Sequence, residues 1–141
     1  PVIEDPRLRE RANFGDLPGQ PLDEFIAMWK RCNRERDWQP PVGDSSIGCG
    51  QRVEAFVSDC YARWPAATVV AGCHGGVIAD FLLNVFSQDE IAALNPALAA
   101  TPNSGDVMRE CSITIVTFDA TGYSLIAAAS VDHLPSITDC V

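Results

Sequence analysis

His74 stands between a short apolar run, Val69-Val70-Ala71-Gly72, and a segment in which Val77, Ile78, Phe81, Leu82, Val85 and Phe86 recur at helical spacing. Two glycines, Gly75 and Gly76, follow it directly. That order reads as a buried strand, a tight turn and a helix, with the imidazole at the junction. In open α/β sheets ligands bind just past the carboxyl ends of strands. The free N–H groups and the positive dipole end of the helix favour an anion there, and glycine lets the backbone approach it. The chemistry this pattern suits is holding a phosphate beside an imidazole. The plainer alternative, a core histidine beside a turn built from glycines, fits the local pattern equally well.

Other residues invite chemical readings of their own. Leu8-Arg9-Glu10-Arg11 is dense in charge, and a solvated face is the default for such a run. Gly43-Asp44-Ser45 could place an esterase nucleophile, with Asp132-His133 as a late partner pair. However, Trp38-Gln39-Pro40-Pro41 is a poor strand to carry it, so Ser45 reads better as a helix cap. His133 reads better as a structural residue near the tail. A lipase-type oxyanion loop also uses His-Gly-Gly, but the Gly-x-Ser-x-Gly elbow it needs is absent. Periodicity puts Arg52 on the outer side of its helix, where a salt bridge is its simplest role.

The elements that must position these groups are legible in outline. Residues 1–20 hold Pro1, Pro6, Gly15, Pro18 and Gly19 and read as loop. A helix is expected over 21–37, with Leu22, Phe25, Ile26 and Trp29 on one face and Arg31, Arg34, Glu35, Arg36 and Asp37 at its wet end. Ser45 or Ser46 starts a second helix with Val53, Phe56, Val57, Tyr61 and Trp64 on one face, ended by Pro65. Thr68 to Gly72 is the strand before His74, and the following helix runs to about Phe86. Ser87-Gln88-Asp89-Glu90 has the form of a capping box. Residues 95–109 read as an excursion over the surface. Cys111 to Phe118 and Tyr123 to Ala129 form a hairpin around Asp119-Ala120-Thr121-Gly122. Val69-Val70-Ala71-Gly72 has the doubly buried look of a central parallel strand. The hairpin could supply one neighbour, but nothing in the sequence supplies the other. An exposed apolar edge at Val69 and Val70 is therefore expected unless another segment or chain covers it, and such an edge invites pairing.

The totals set bounds. A length of 141 residues suits one domain, and a net charge of −9 argues against nucleic acid or an anionic membrane as the main partner. No apolar run is long enough to span a bilayer, and no signal-peptide pattern is present. The six cysteines form no CxxC pair, which with two histidines argues against a zinc cage. Free thiols in a cytoplasmic protein are the expectation. The sequence opens at Pro1 on polar, charged residues and reads as a piece of something longer.

Four spaced features together resemble the histidine phosphatase superfamily, the group that includes phosphoglycerate mutases. Asp5-Pro6-Arg7-Leu8-Arg9-Glu10, with Gly15 and Gly19 after it, is similar to the family's Leu-Arg-Glu segment and its glycines. Gly43-Asp44-Ser45 with Arg52-Val53 is similar to its Gly-Glu-Ser and downstream Arg-Val. Val69 to Gly76 resembles its second histidine motif. Cys111-Ser112-Ile113-Thr114, a hairpin and His133-Leu134 resemble its closing strands. The resemblance implies an α/β three-layer sandwich with a mostly parallel sheet and a C-terminal β-hairpin, as an incomplete phosphoglycerate mutase-like domain over 1–141. It implies phosphomonoester hydrolysis through a phosphohistidine, without metal or cofactor, on a small phosphorylated substrate. His74 takes the second-histidine role, Glu10 is the proton donor, and Gly75, Gly76 and Arg9 meet the substrate. A carboxyl beside a phosphate is favoured in its protonated form, as a donor requires.

The departures also carry expectations. No Arg-His-Gly, the family's nucleophile motif, occurs in the sequence. The chain resembles the family's later two-thirds, and alone it should be inactive. Between Glu10 and Gly15 there is one residue more than in the mutase pattern, and Phe14 stands where mutases carry tyrosine. The alternatives are a non-catalytic phosphate-binding or assembly domain and a Gly-Asp-Ser esterase. Association, as a homodimer or with a preceding segment, would cover the exposed edge.

Overall fold

The computed structural model describes residues 2–101 and 107–135. The chain divides into two compact units, Pro1–Val85 and Phe86–Val141. The first holds a 3-10 turn at Pro6–Leu8 and three helices, α1 (Leu22–Arg34), α2 (Ser46–Arg63) and α3 (Gly75–Val85). The second holds α4 (Gln88–Leu94), α5 (Pro96–Ala100) and two strands, β1 (Ile113–Asp119) and β2 (Gly122–Ser130). No helix among the described residues is long and apolar enough to cross a membrane.

In the first unit, α2 packs on α3. Cys49 and Val53 of α2 and Val77, Ala79, Phe81 and Leu82 of α3 are buried. The buried part of α2 is its first half; Tyr61 and Trp64 at its other end are exposed. Ser45 starts α2 by accepting the Gly48 N–H at 3.1 Å. Pro21 is the residue before α1 rather than part of it, and the helix stops at Arg34. The expected wet end of α1 divides. Arg31 and Glu35 form an exposed ion pair at 2.8 Å, whereas Arg36 turns inward and donates to Ser46 Oγ and to the carbonyls of Asp80 and Leu83. The solvated reading of residues 8–11 fails at Arg11, which is buried.

The expected strand at Thr68–Gly72 has no regular secondary structure: β1 and β2 pair only with each other among the described residues. A strand needs a neighbour to bond its N–H and C=O groups, and here none is supplied. Val69 is 44% exposed and Val70 93%. The described chain therefore has α/β character, with five helices and an antiparallel hairpin.

The second unit is built from local signals. Ser87 and Glu90 form the expected capping box of α4. Residues 95–109 are not wholly an excursion: Asn95 accepts the Leu98 N–H at 3.0 Å, and Pro96 opens α5. Residues 102–106 lie outside the described residues. In the hairpin, Asp119 accepts the Thr121 N–H at 2.7 Å to close the turn, and Phe118 stacks on Tyr123 at 4.5 Å. Asn95 Nδ2 donates to the Ala128 carbonyl at 3.0 Å, tying the α4–α5 junction to β2.

Candidate functional site

His74 is exposed and immediately precedes α3. Its carbonyl accepts the Ile78 N–H at 3.1 Å, so it occupies the cap position, and Gly75 and Gly76 are the first two helical residues. Their N–H groups belong to the turn that has no carbonyl partner within the helix. Glu10 follows the 3-10 turn, and its Oε1 accepts the Arg11 N–H at 2.8 Å. The carboxylate lies against Gly76: a Cβ built there would sit 2.8 and 3.0 Å from the two Glu10 oxygens and 2.9 Å from Trp29 Cζ2. Any side chain would displace the acid or the ring. Glu10, Trp29 and the first turn of α3 after His74 are thus brought together from three separate parts of the first unit.

Arg9 is engaged elsewhere. It pairs with Asp44 at 2.8 Å and donates to the Pro6 carbonyl at 3.1 Å. Arg52 also pairs with Asp44, at 3.0 Å, and donates to the carbonyls of Arg7 and Arg9. It is half-buried rather than on the outer side of its helix, and its salt bridge is part of a clasp. Asp44 completes the clasp by donating its N–H to the Arg11 carbonyl at 2.9 Å. Gly43 has φ +93°, and a Cβ there would collide with that same carbonyl. The Gly43-Asp44-Ser45 segment therefore grips residues 7–11 and caps α2. Ser45 serves as a cap, and His133 is exposed in the turn after β2.

Beneath Glu10 lies a buried polar joint that the sequence did not disclose. Arg11 donates through one terminal nitrogen to both Asp80 oxygens at 3.1 Å and through the other to Asn33 Oδ1. Its guanidinium covers the Trp29 ring at 4.0 Å. The side chains of Arg11 and Asp80 are fully buried. Ser46 Oγ donates to Asp80 at 2.6 Å and accepts from Arg36 Nε at 3.0 Å. Arg36 also donates to Asn84 Oδ1 at 2.6 Å. Burial pushes the Asp80 carboxyl above the usual range, with Arg11 and the Ser46 hydroxyl opposing it. Burial first, and then the Asp80 charge, push the Cys49 thiol up to about 12. Burial also raises the thiol of Cys73, next to His74. One signal did exist: an aspartate among Val77, Phe81 and Leu82 on an inward helix face requires a cation somewhere. Which cation it would be, 69 residues away, was not readable.

Among the described residues no group of three or more His, Cys, Asp or Glu could hold a metal ion. The family model described as histidine phosphatase superfamily (branch 1) matches residues 1–129. No curated protein and no solved structure matches the chain.

Proposed function

The chain belongs to the histidine phosphatase superfamily, and from that premise we propose that it supplies the second histidine and the general acid of a phosphomonoester hydrolase. The observation that carries this reading is the Glu10 carboxylate resting against Gly76, two residues after His74 at the start of α3. In the proposed reaction an imidazole outside these residues attacks phosphorus. The N–P bond forms as the ester P–O bond breaks, and the leaving oxygen takes the Glu10 proton. Water then attacks phosphorus, Glu10 takes a proton from it, and the N–P bond breaks. His74 and the N–H groups of Gly75 and Gly76 stabilise charge on the phosphoryl oxygens in both steps. Arg9 joins them by exchanging Asp44 for the phosphoryl group. The three-layer, mostly parallel sheet belongs to the same proposal, since it requires strands beside Val69 and Val70.

The test uses the whole chain and inorganic phosphate. In an NMR titration the His74 ring and the Gly75 and Gly76 amides should shift together, and His74→Ala should abolish the shifts at both glycines. Phosphate that moves none of these signals overturns the assignment. No turnover of a generic phosphomonoester is expected. Turnover abolished by His74→Ala would overturn the reading that the attacking group lies outside these residues.

A further inference from the structure

The Glu10 loop has no ladder and no helix of its own to hold it against α3. One side chain adjoining Glu10 spans the distance. Arg11 reaches Asp80, one turn into α3 from Gly76, and Asn33, one turn beyond Trp29 on α1. Between those two bonds its guanidinium covers the Trp29 ring, and the edge of that ring faces Gly76. Asp80 is itself fixed by Ser46 at the start of α2. From this we propose that Arg11 is a positioning residue: the Asp80–Arg11–Trp29 stack sets where the Glu10 carboxylate stands relative to the first turn of α3. The inference rests on the reading of Glu10 as the general acid.

The geometry has a built-in asymmetry. Arg11 contributes its N–H to Glu10 and its guanidinium to α1 and α3, so a change at the guanidinium is transmitted to the carboxylate through one residue of backbone. A purely structural ion pair would have no such consequence. An apolar pair of similar volume commonly replaces a buried ion pair with little loss of stability. That replacement separates holding the fold from holding the acid.

Four proteins decide the matter: the wild-type chain, Arg11→Met, Arg11→Met with Asp80→Leu, and Arg11→Lys. The readouts are the urea midpoint, the nuclear Overhauser contact between the Trp29 ring and the Gly76 α-protons, and the dissociation constant for inorganic phosphate. The double variant should recover most of the midpoint lost in Arg11→Met. It should still lack the Trp29–Gly76 contact and bind phosphate at least about tenfold more weakly. Arg11→Lys keeps a charge beside Asp80 but cannot span Asp80 and Asn33 while covering the ring. It should keep the fold, weaken the contact and lower phosphate affinity, which provides the test even if the double variant does not fold. The proposal is overturned if either variant keeps the contact and binds phosphate within about twofold of wild type. Failure of the underlying reading looks different: phosphate then leaves His74 and Gly76 unmoved in the wild type itself, whatever the Trp29–Gly76 contact does.

Discussion

Two stretches govern helix α3, and they treat water in opposite ways. Its middle is held at Asp80 by Arg11 and Ser46, with Arg36 on the Asp80 carbonyl; the Arg11 and Asp80 side chains are fully removed from solvent. The approach to its start is Val69-Val70-Ala71-Gly72, which is apolar, outside any helix or strand, and exposed, with Val70 93% accessible. Charges sit inside and aliphatic side chains outside, the reverse of the general rule. The joint is tolerable because nearly every polar atom in it is bonded; the Arg11 Nε is the exception. The apolar run is exposed because no described strand pairs beside it. The lesson is that in these two stretches burial follows partnership rather than polarity.

The largest effect should come from breaking that partnership. Arg11→Met leaves the Asp80 carboxylate buried without its ion-pair partner, which should cost about 3–5 kcal/mol. Val70→Ser changes a side chain that meets mostly water and should stay within about 0.5 kcal/mol. Urea denaturation of the two variants checks both. If Val70→Ser costs as much as a core substitution, the run is covered in solution and the contrast disappears.

The same comparison explains what the sequence could and could not disclose. The capping box at Ser87 and Glu90, the hairpin and the Ser45 cap were legible because each is decided within four residues or by strict alternation. The His74 turn was legible because an apolar run, two glycines and a periodic segment adjoin in sequence. Arg11 and Asp80 were not, since charge density near Glu10 looks the same whether a guanidinium faces water or a carboxylate 69 residues away. For the same reason the charge run 31–37 reads as a wet helix end, although Arg36 faces inward. The run at Val69 shows the converse failure. Its composition is that of a buried strand, but burial is a property of neighbours, and composition carries no record of them.

A smaller effect concerns two thiols, one beside each stretch. Cys49 is fully buried beside the joint, and its thiol is pushed up to about 12. Cys73, in the open approach to α3, is half-buried. At pH 8, a shift from the ordinary 9.0 to about 12 lowers the thiolate fraction by about a thousandfold. Peptide mapping after brief alkylation should find Cys73 modified well before Cys49. The sign of the linked stability follows from the raised value. The thiol's contribution is complete below pH 9 and is lost as pH rises through about 12. The urea midpoint of the wild type should therefore fall over that window more steeply than that of Cys49→Ala. Equal slopes would mean that the joint admits water, and its distinction from the open stretch would weaken.

The smallest effect sharpens the comparison by keeping the chemistry and changing only the place. Asp5 and Arg7 repeat the Asp–Arg pair of the joint, but only half-buried and within reach of water, with a contact of 2.7 Å. Hydrogen bonds from the Arg7 side chain and N–H hold the Asp5 carboxyl down at about 2. Its contribution is thus present above the ordinary carboxylate value of 3.8 and is lost as pH falls through about 2. Carbon-detected NMR at pH 3 should find Asp5 still ionised, and Arg7→Ala, which keeps the N–H bond and removes the side-chain ones, should return it part of the way to the ordinary range. Asp5→Asn should leave the urea midpoint near that of wild type, because water reaches the pair and Arg7 keeps Asp59 at 2.6 Å. If Asp5→Asn instead unfolds the chain as readily as Arg11→Met, the pair matters wherever it sits. Exclusion from water would then not be what makes the Arg11–Asp80 joint decisive.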